Sequence, residues 1–67
     1  MKLKYVGVSF GVDGLTDGKT YDAEYDAELD AYRVIDDSGE DYLYSTTNPK
    51  PIAVKNHPGG HWVKIED

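Results

Sequence analysis

"YRVIDDSGEDYLY", Tyr32 to Tyr44, is the stretch whose reading decides the fold. Asp36, Asp37, Glu40 and Asp41 crowd around Gly39, between two apolar runs that carry tyrosines. Two β-prone runs separated by a short Asp, Ser and Gly segment are the signature of a hairpin. Gly39 can supply the positive φ that a type I turn with a bulge demands. Asp37 and Ser38 suit the other corners, because their side chains hydrogen-bond nearby backbone N–H groups. Turn chemistry accounts for every residue here except the surplus of charge.

Outward from the hairpin, the chain keeps a period of two. In "KTYDAEYDAE", Tyr21, Ala23 and Tyr25 share one side, and Thr20, Asp22, Glu24 and Asp26 the other. That alternation predicts a half-buried antiparallel strand in preference to the helix its good helix formers would also allow. A turn near Glu28 to Asp30 leads into "AYRVID", and "DYLYS" is the partner beyond the acidic turn. At the start, "KLKYVGVSF" places Val6, Val8 and Phe10 on one face, and "GVDGLTDGK" reads as a loop and a turn. In the last third, "STTNPKP" and "NHPGGH" are loops, "IAVK" is a short strand, and "WVKIE" is a final strand with Trp62 and Lys64 opposite Val63 and Ile65. Five or six short strands with glycine-rich turns predict an all-β fold: one domain over residues 1–67, folded as a small, strongly bent antiparallel barrel. Closing the sheet would hide its edges.

A chain of 67 residues has a small core, burying only about 60% of its unfolded surface. With no cysteine it has neither disulfides nor a thiolate zinc site. No apolar run approaches the roughly 20 residues of a membrane span, and the first ten residues are too short and alternating for a signal peptide. A cytoplasmic protein is the expectation. The formal net charge is −6, and from Asp13 to Tyr44 eleven acids face two bases, a local net of −9. Such a middle repels phosphate backbones and anionic lipid, so nucleic acid and membranes are poor partners and a basic protein or peptide is a good one.

"LTDGKTYDAE" followed by "YRVIDDSGEDYLY" resembles a group of small SH3-like barrel proteins of bacteria, mainly Gram-positive species and their prophages. Leu15, Thr16, Gly18, Lys19, Tyr21, Asp36 to Asp41 and Tyr42 carry the resemblance, which runs from Val6 to Tyr44. The tail after Tyr44 is longer than is usual in the group. The resemblance implies an SH3-like barrel and transfers no functional residue.

Two motifs overlap before the second strand. "DGLTDGKT" has the Gly18-Lys19-Thr20 end of a phosphate-binding loop, but Asp13 stands where the first glycine belongs, and Asp17 adds a second charge against phosphate. "DGLTDGKTYDAE" fits a twelve-residue calcium loop at Asp13, Asp17, Gly18 and Glu24, yet Leu15 occupies a ligand position and no helix enters it. Asp13, Asp17 and Glu24 are therefore weak metal candidates only. His57 and His61 are four apart, but Pro58, Gly59 and Gly60 forbid the helix that would pair them, which reads as two exposed loop histidines. No serine or threonine has a base beside it, and carboxylates on an exposed tip lack the pKa separation that acid–base catalysis needs, so no enzyme and no cofactor are expected. Six tyrosines against one phenylalanine supply core area and also suit partly exposed interfaces. The expectation is a non-enzymatic interaction module binding a basic partner through Asp37, Glu40, Asp41, Tyr42 and Tyr44. The alternatives are an acidic nucleic-acid mimic and a calcium-stabilised structural domain. The oligomeric state is open.

Overall fold

Two hairpins built from the most regularly alternating stretches supply three consecutive strands of the sheet. The computed structural model describes residues 1–10, 14–51 and 56–67. Its strands are β1 (Lys2–Gly7), β2 (Thr20–Asp26), β3 (Ala31–Ile35), β4 (Asp41–Ser45) and β5 (Gly60–Glu66). They form one five-stranded sheet in the order β4-β3-β2-β1-β5, every neighbouring pair antiparallel. No helix occurs among the described residues. The expected strand "IAVK" lies outside them.

Local chemistry sets both central turns. Between β2 and β3, Asp26 Oδ1 accepts the backbone N–H groups of Glu28 and Leu29, each at 3.1 Å. Asp30 then takes a φ of 48°, a left-handed conformation that aspartate tolerates better than most residues. Between β3 and β4, the Asp36 N–H donates to Glu40 O at 3.2 Å and the Gly39 N–H to Asp36 O at 3.0 Å. Gly39 has a φ of 83°, so the hairpin is the glycine-bulge turn that the sequence predicts.

β1 is displaced from its expectation. The buried pair is Leu3 and Tyr5, whereas Val8 is 49% exposed and lies beyond the strand end. The pleat explains the exchange: Lys2 and Lys4 share parity with Val6, and their ammonium groups hold that face toward water. Phe10 rejoins the interior by another route, in an isolated bridge with Leu15. In β2, Tyr21 and Ala23 are buried as expected, but Tyr25 at the far end is 49% exposed.

The core comprises Leu3, Tyr5, Leu15, Tyr21, Ala23 and Val34, with Met1, Phe10, Tyr32, Tyr44 and Trp62 packed against it. Trp62 is its hub, standing edge-on to Tyr5, Tyr21, Tyr32 and Tyr44 at centroid separations of 5.8, 6.5, 6.3 and 6.2 Å. These are favourable aromatic geometries, and they explain why a chain poor in aliphatics still encloses a core. The smallest extent of the molecule is 20 Å, about twice the spacing of packed sheets, so the single sheet curls round its own aromatic side chains. Among the described residues no ladder joins β4 to β5, and the sheet is not closed by hydrogen bonding. Among the described residues two side-chain hydrogen bonds run between the β4 side and β5: Trp62 Nε1–H donates to Ser45 O at 2.9 Å, and Asn48 Oδ1, just past β4, accepts the Gly60 N–H at 3.0 Å.

Candidate functional site

The tip of the β3–β4 hairpin is divided by the direction in which its carboxylates point. Asp36 and Asp37 turn inward and are consumed by the fold. Asp36, 6% exposed, accepts the Ser38 N–H at 3.0 Å and the Ser38 hydroxyl on Oδ1, and the Tyr44 hydroxyl at 2.6 Å on Oδ2. Asp37 Oδ1 accepts Lys19 Nζ at 2.7 Å and the Tyr21 hydroxyl at 2.9 Å, and its Oδ2 accepts the Thr16 hydroxyl at 2.8 Å. The Tyr21 oxygen in turn accepts the Thr16 N–H at 2.7 Å, and the Asp37 N–H donates to Gly14 O at 2.9 Å. The hairpin tip is thereby latched onto the turn between Gly14 and Lys19.

The electrostatics match a latch. Partial burial alone pushes the Asp37 carboxyl up, but the donors Lys19, Thr16 and Tyr21 outweigh it and hold it below its ordinary value. Burial first, then the bond to Asp36, pushes the Tyr44 hydroxyl well above its ordinary value. Every oxygen of both carboxylates has a donor, and the Tyr44 hydroxyl holds its proton tightly. The arrangement is a satisfied hydrogen-bond network that fixes the hairpin tip.

Glu40, Asp41 and Tyr42 face elsewhere. They line one side of an open groove of about 750 Å³ that also takes in Met1, Asp22, Ala23, Glu24, Arg33, Ile35 and Gly39. Asp22, Glu24, Glu40 and Asp41 are its carboxylates. Asp22 pairs with Lys2, directly across the β1–β2 register, and that bond and charge hold its pKa below the ordinary value. Arg33 is shared at 3.6 Å between Asp26 and Asp41. The Tyr42 hydroxyl donates to Glu40 Oε2 at 3.1 Å, and the Met1 ammonium donates to Ala23 O at 3.0 Å. Among the described residues the Glu24 carboxylate has no partner. Ile35 and Tyr42 are 48% and 51% exposed, giving the groove apolar area between its charges.

The five residues expected to bind a partner are thus not one surface. Asp37 and Tyr44 belong to the latch, and Glu40, Asp41 and Tyr42 to the groove. Sequence reasoning missed Asp22, Glu24, Arg33 and Ile35 as groove residues. Their signal was available in the β2–β3 hairpin, whose turn sets Glu24 opposite Arg33.

Of the weak metal candidates, Asp13 lies outside the described residues. Asp17 Oδ1 accepts the Gly7 N–H at 3.1 Å beyond the start of β2, while Glu24 sits near the end of that strand. Gly7, which holds Asp17, and Lys2, which stands opposite Asp22, are the two ends of β1, about 17 Å of rise apart, so Asp17 and Glu24 are held well apart. No three His, Asp or Glu side chains are grouped for a metal among the described residues. Lys19, the phosphate-loop lysine of the sequence motif, is committed to Asp37. His61 is exposed, but His57 is not the exposed bystander expected. Its ring stands edge-on to Phe10 at 5.0 Å, and its Nδ1 accepts the Gly59 N–H at 2.8 Å.

No described helix is long and apolar enough to cross a membrane. Comparison with protein-family models, with curated proteins and with solved structures found no match to this chain.

Proposed function

We propose that this protein is a non-enzymatic binding module whose acidic groove receives a basic, extended segment of a partner protein. The observation that carries the reading is the groove itself: four carboxylates around exposed Ile35 and Tyr42, one of them, Glu24, without a partner among the described residues. Carboxylates left in water attract cationic side chains at long range, and the apolar floor supplies burial that salt does not screen. The latch supports the reading from the other side, since it fixes the hairpin that presents Glu40 to Tyr42.

As to fold, we infer an SH3-like barrel with an open seam. The strand order, in which the last strand returns to the first, supports this, as does the Trp62 bond that spans β4 and β5.

The experiment is a charge reversal confined to the groove, Glu24→Lys with Glu40→Lys and Asp41→Lys. Asp37 is left alone because its loss would loosen the fold. Binding of a capped, lysine-rich peptide, followed by calorimetric titration, should weaken at least tenfold while the melting transition stays cooperative. Undiminished binding by the triple variant would sink the reading. Binding that disappears in high salt and is displaced by duplex DNA would favour a nucleic-acid mimic instead.

A further inference from the structure

Among the described residues, four backbone groups on the β4 edge of the sheet have no hydrogen-bond partner. The β3–β4 ladder shows which they are. Asp36 and Glu40 form a hydrogen-bonded pair, and in an antiparallel ladder such pairs alternate with pairs that are not bonded. Val34–Tyr42 and Tyr32–Tyr44 are therefore bonded pairs, whereas Ile35–Asp41, Arg33–Leu43 and Ala31–Ser45 are not. The N–H and C=O groups of Asp41, Leu43 and Ser45 must point away from β3. The Ser45 carbonyl confirms the geometry, because it is the one that Trp62 reaches. Among the described residues the N–H and C=O groups of Asp41 and Leu43 have no partner.

Free edges invite further strands, and proteins blunt them with lysine, proline, bulges or brevity. β5, the other edge, carries Lys64 and a register shift opposite Lys2 and Leu3. β4 has no lysine, no proline and no register shift, and its only charge is the acidic Asp41, next to Glu40. That charge sorts the possible occupants. A second copy of a chain of net charge −6 brings like charge to an acidic edge, whereas a basic strand brings the opposite charge.

We propose that the β4 edge is a strand-addition site: a basic, extended peptide pairs with it and hydrogen-bonds to the backbone of Asp41 and Leu43. Backbone bonds give the affinity, and alternate lysine or arginine side chains meet Asp41 and Glu40. The proposal rests on the acidic-groove reading for its partner and adds the mode of binding. Leu43, 40% exposed, offers the incoming strand an apolar neighbour on the same face.

The test uses a capped seven-residue peptide alternating lysine with valine and threonine, and its fully N-methylated counterpart, which keeps every side chain but has no N–H to donate. The unmethylated peptide should bind at least tenfold more tightly. It should also slow hydrogen exchange at the Asp41 and Leu43 amides at least tenfold. Leu43→Pro removes one edge donor that the ladder does not use, so it should stay folded and weaken the peptide several-fold. Equal binding of both peptides, with those two amides unprotected, overturns strand addition and leaves the groove reading standing. No binding of either peptide at low salt overturns both. Protection of the same amides by raising the protein concentration alone assigns the edge to a second copy and overturns the peptide.

Discussion

Asp37 and Tyr44 show how a residue type that suggests binding can be used up by the fold. Asp37 collects a lysine, a tyrosine and a threonine on two oxygens, and hydrogen bonds to a charged group contribute about 1.5–3 kcal/mol each. Asp37→Asn keeps the shape, loses the charge and turns one acceptor into a donor facing Lys19, Tyr21 or Thr16. It should cost about 1–3 kcal/mol in a urea titration. The sign of its pH dependence follows from the depressed carboxyl. The stabilisation is fully present above the unfolded-state value of about 4 and is lost as pH falls through the lower folded value. The acid limb of the stability curve should therefore be flatter in Asp37→Asn than in the parent, and parallel limbs would refute the latch. Tyr44→Phe leaves the buried Asp36 Oδ2 without its donor and should cost about 1–3 kcal/mol, with no effect on peptide binding in the groove. A loss of binding at unchanged stability would return Tyr44 to the site.

Among the elements, the hairpins were the most legible part of the sequence, because turn chemistry is local. Asp26, Asp30, Asp36 and Gly39 act within a few residues of themselves, and the alternation of β2 needed no partner to be read. What the sequence hid was pairing at a distance. The lysines at positions 2 and 4 contained the face of β1, but valines at 6 and 8 drew the reading to the wrong parity. The candidate site was half legible for the same reason. That the carboxylates cluster is local information, whereas which of them the Gly14–Lys19 turn captures depends on a packing some 20 residues away in the chain. Two glycines separate these kinds of information by experiment. At Gly39 a Cβ meets open space, so Gly39→Ala bears only the cost of its φ of 83°, about 1–2 kcal/mol. At Gly60, within the β1–β5 ladder, a Cβ would stand 2.4 Å from Val6 O and 2.8 Å from the Tyr5 ring. Gly60→Ala should therefore be the more destabilising by thermal melting, since backbone and a buried ring must both shift. The opposite order would mean that β5 is held to β1 more loosely than its register implies.

Across the whole molecule, a curled sheet with no ladder between its edges among the described residues needs something else to hold the edges together, and Trp62 is a side chain placed to do it. It belongs to β5, bonds β4 through Ser45, and touches tyrosines from β1, β2, β3 and β4. A domain of 67 residues has a total stability of roughly 3–10 kcal/mol, and truncating Trp62, half-buried but touching four tyrosines, costs about 3 kcal/mol, the lower end of the range for a core tryptophan. Trp62→Ala should consequently leave a substantial unfolded fraction at 25 °C. Trp62→Phe keeps most of the ring contacts and loses the bond across the seam, so it should fold with a loss of about 1–3 kcal/mol. The location of that loss is the sharper prediction. If the seam depends on the indole N–H, amide exchange in Trp62→Phe should accelerate in β4 and β5, at the two edges, more than in the central β2. Uniform acceleration would instead make Trp62 an ordinary core residue and place the cohesion of the edges in the curl of the sheet alone.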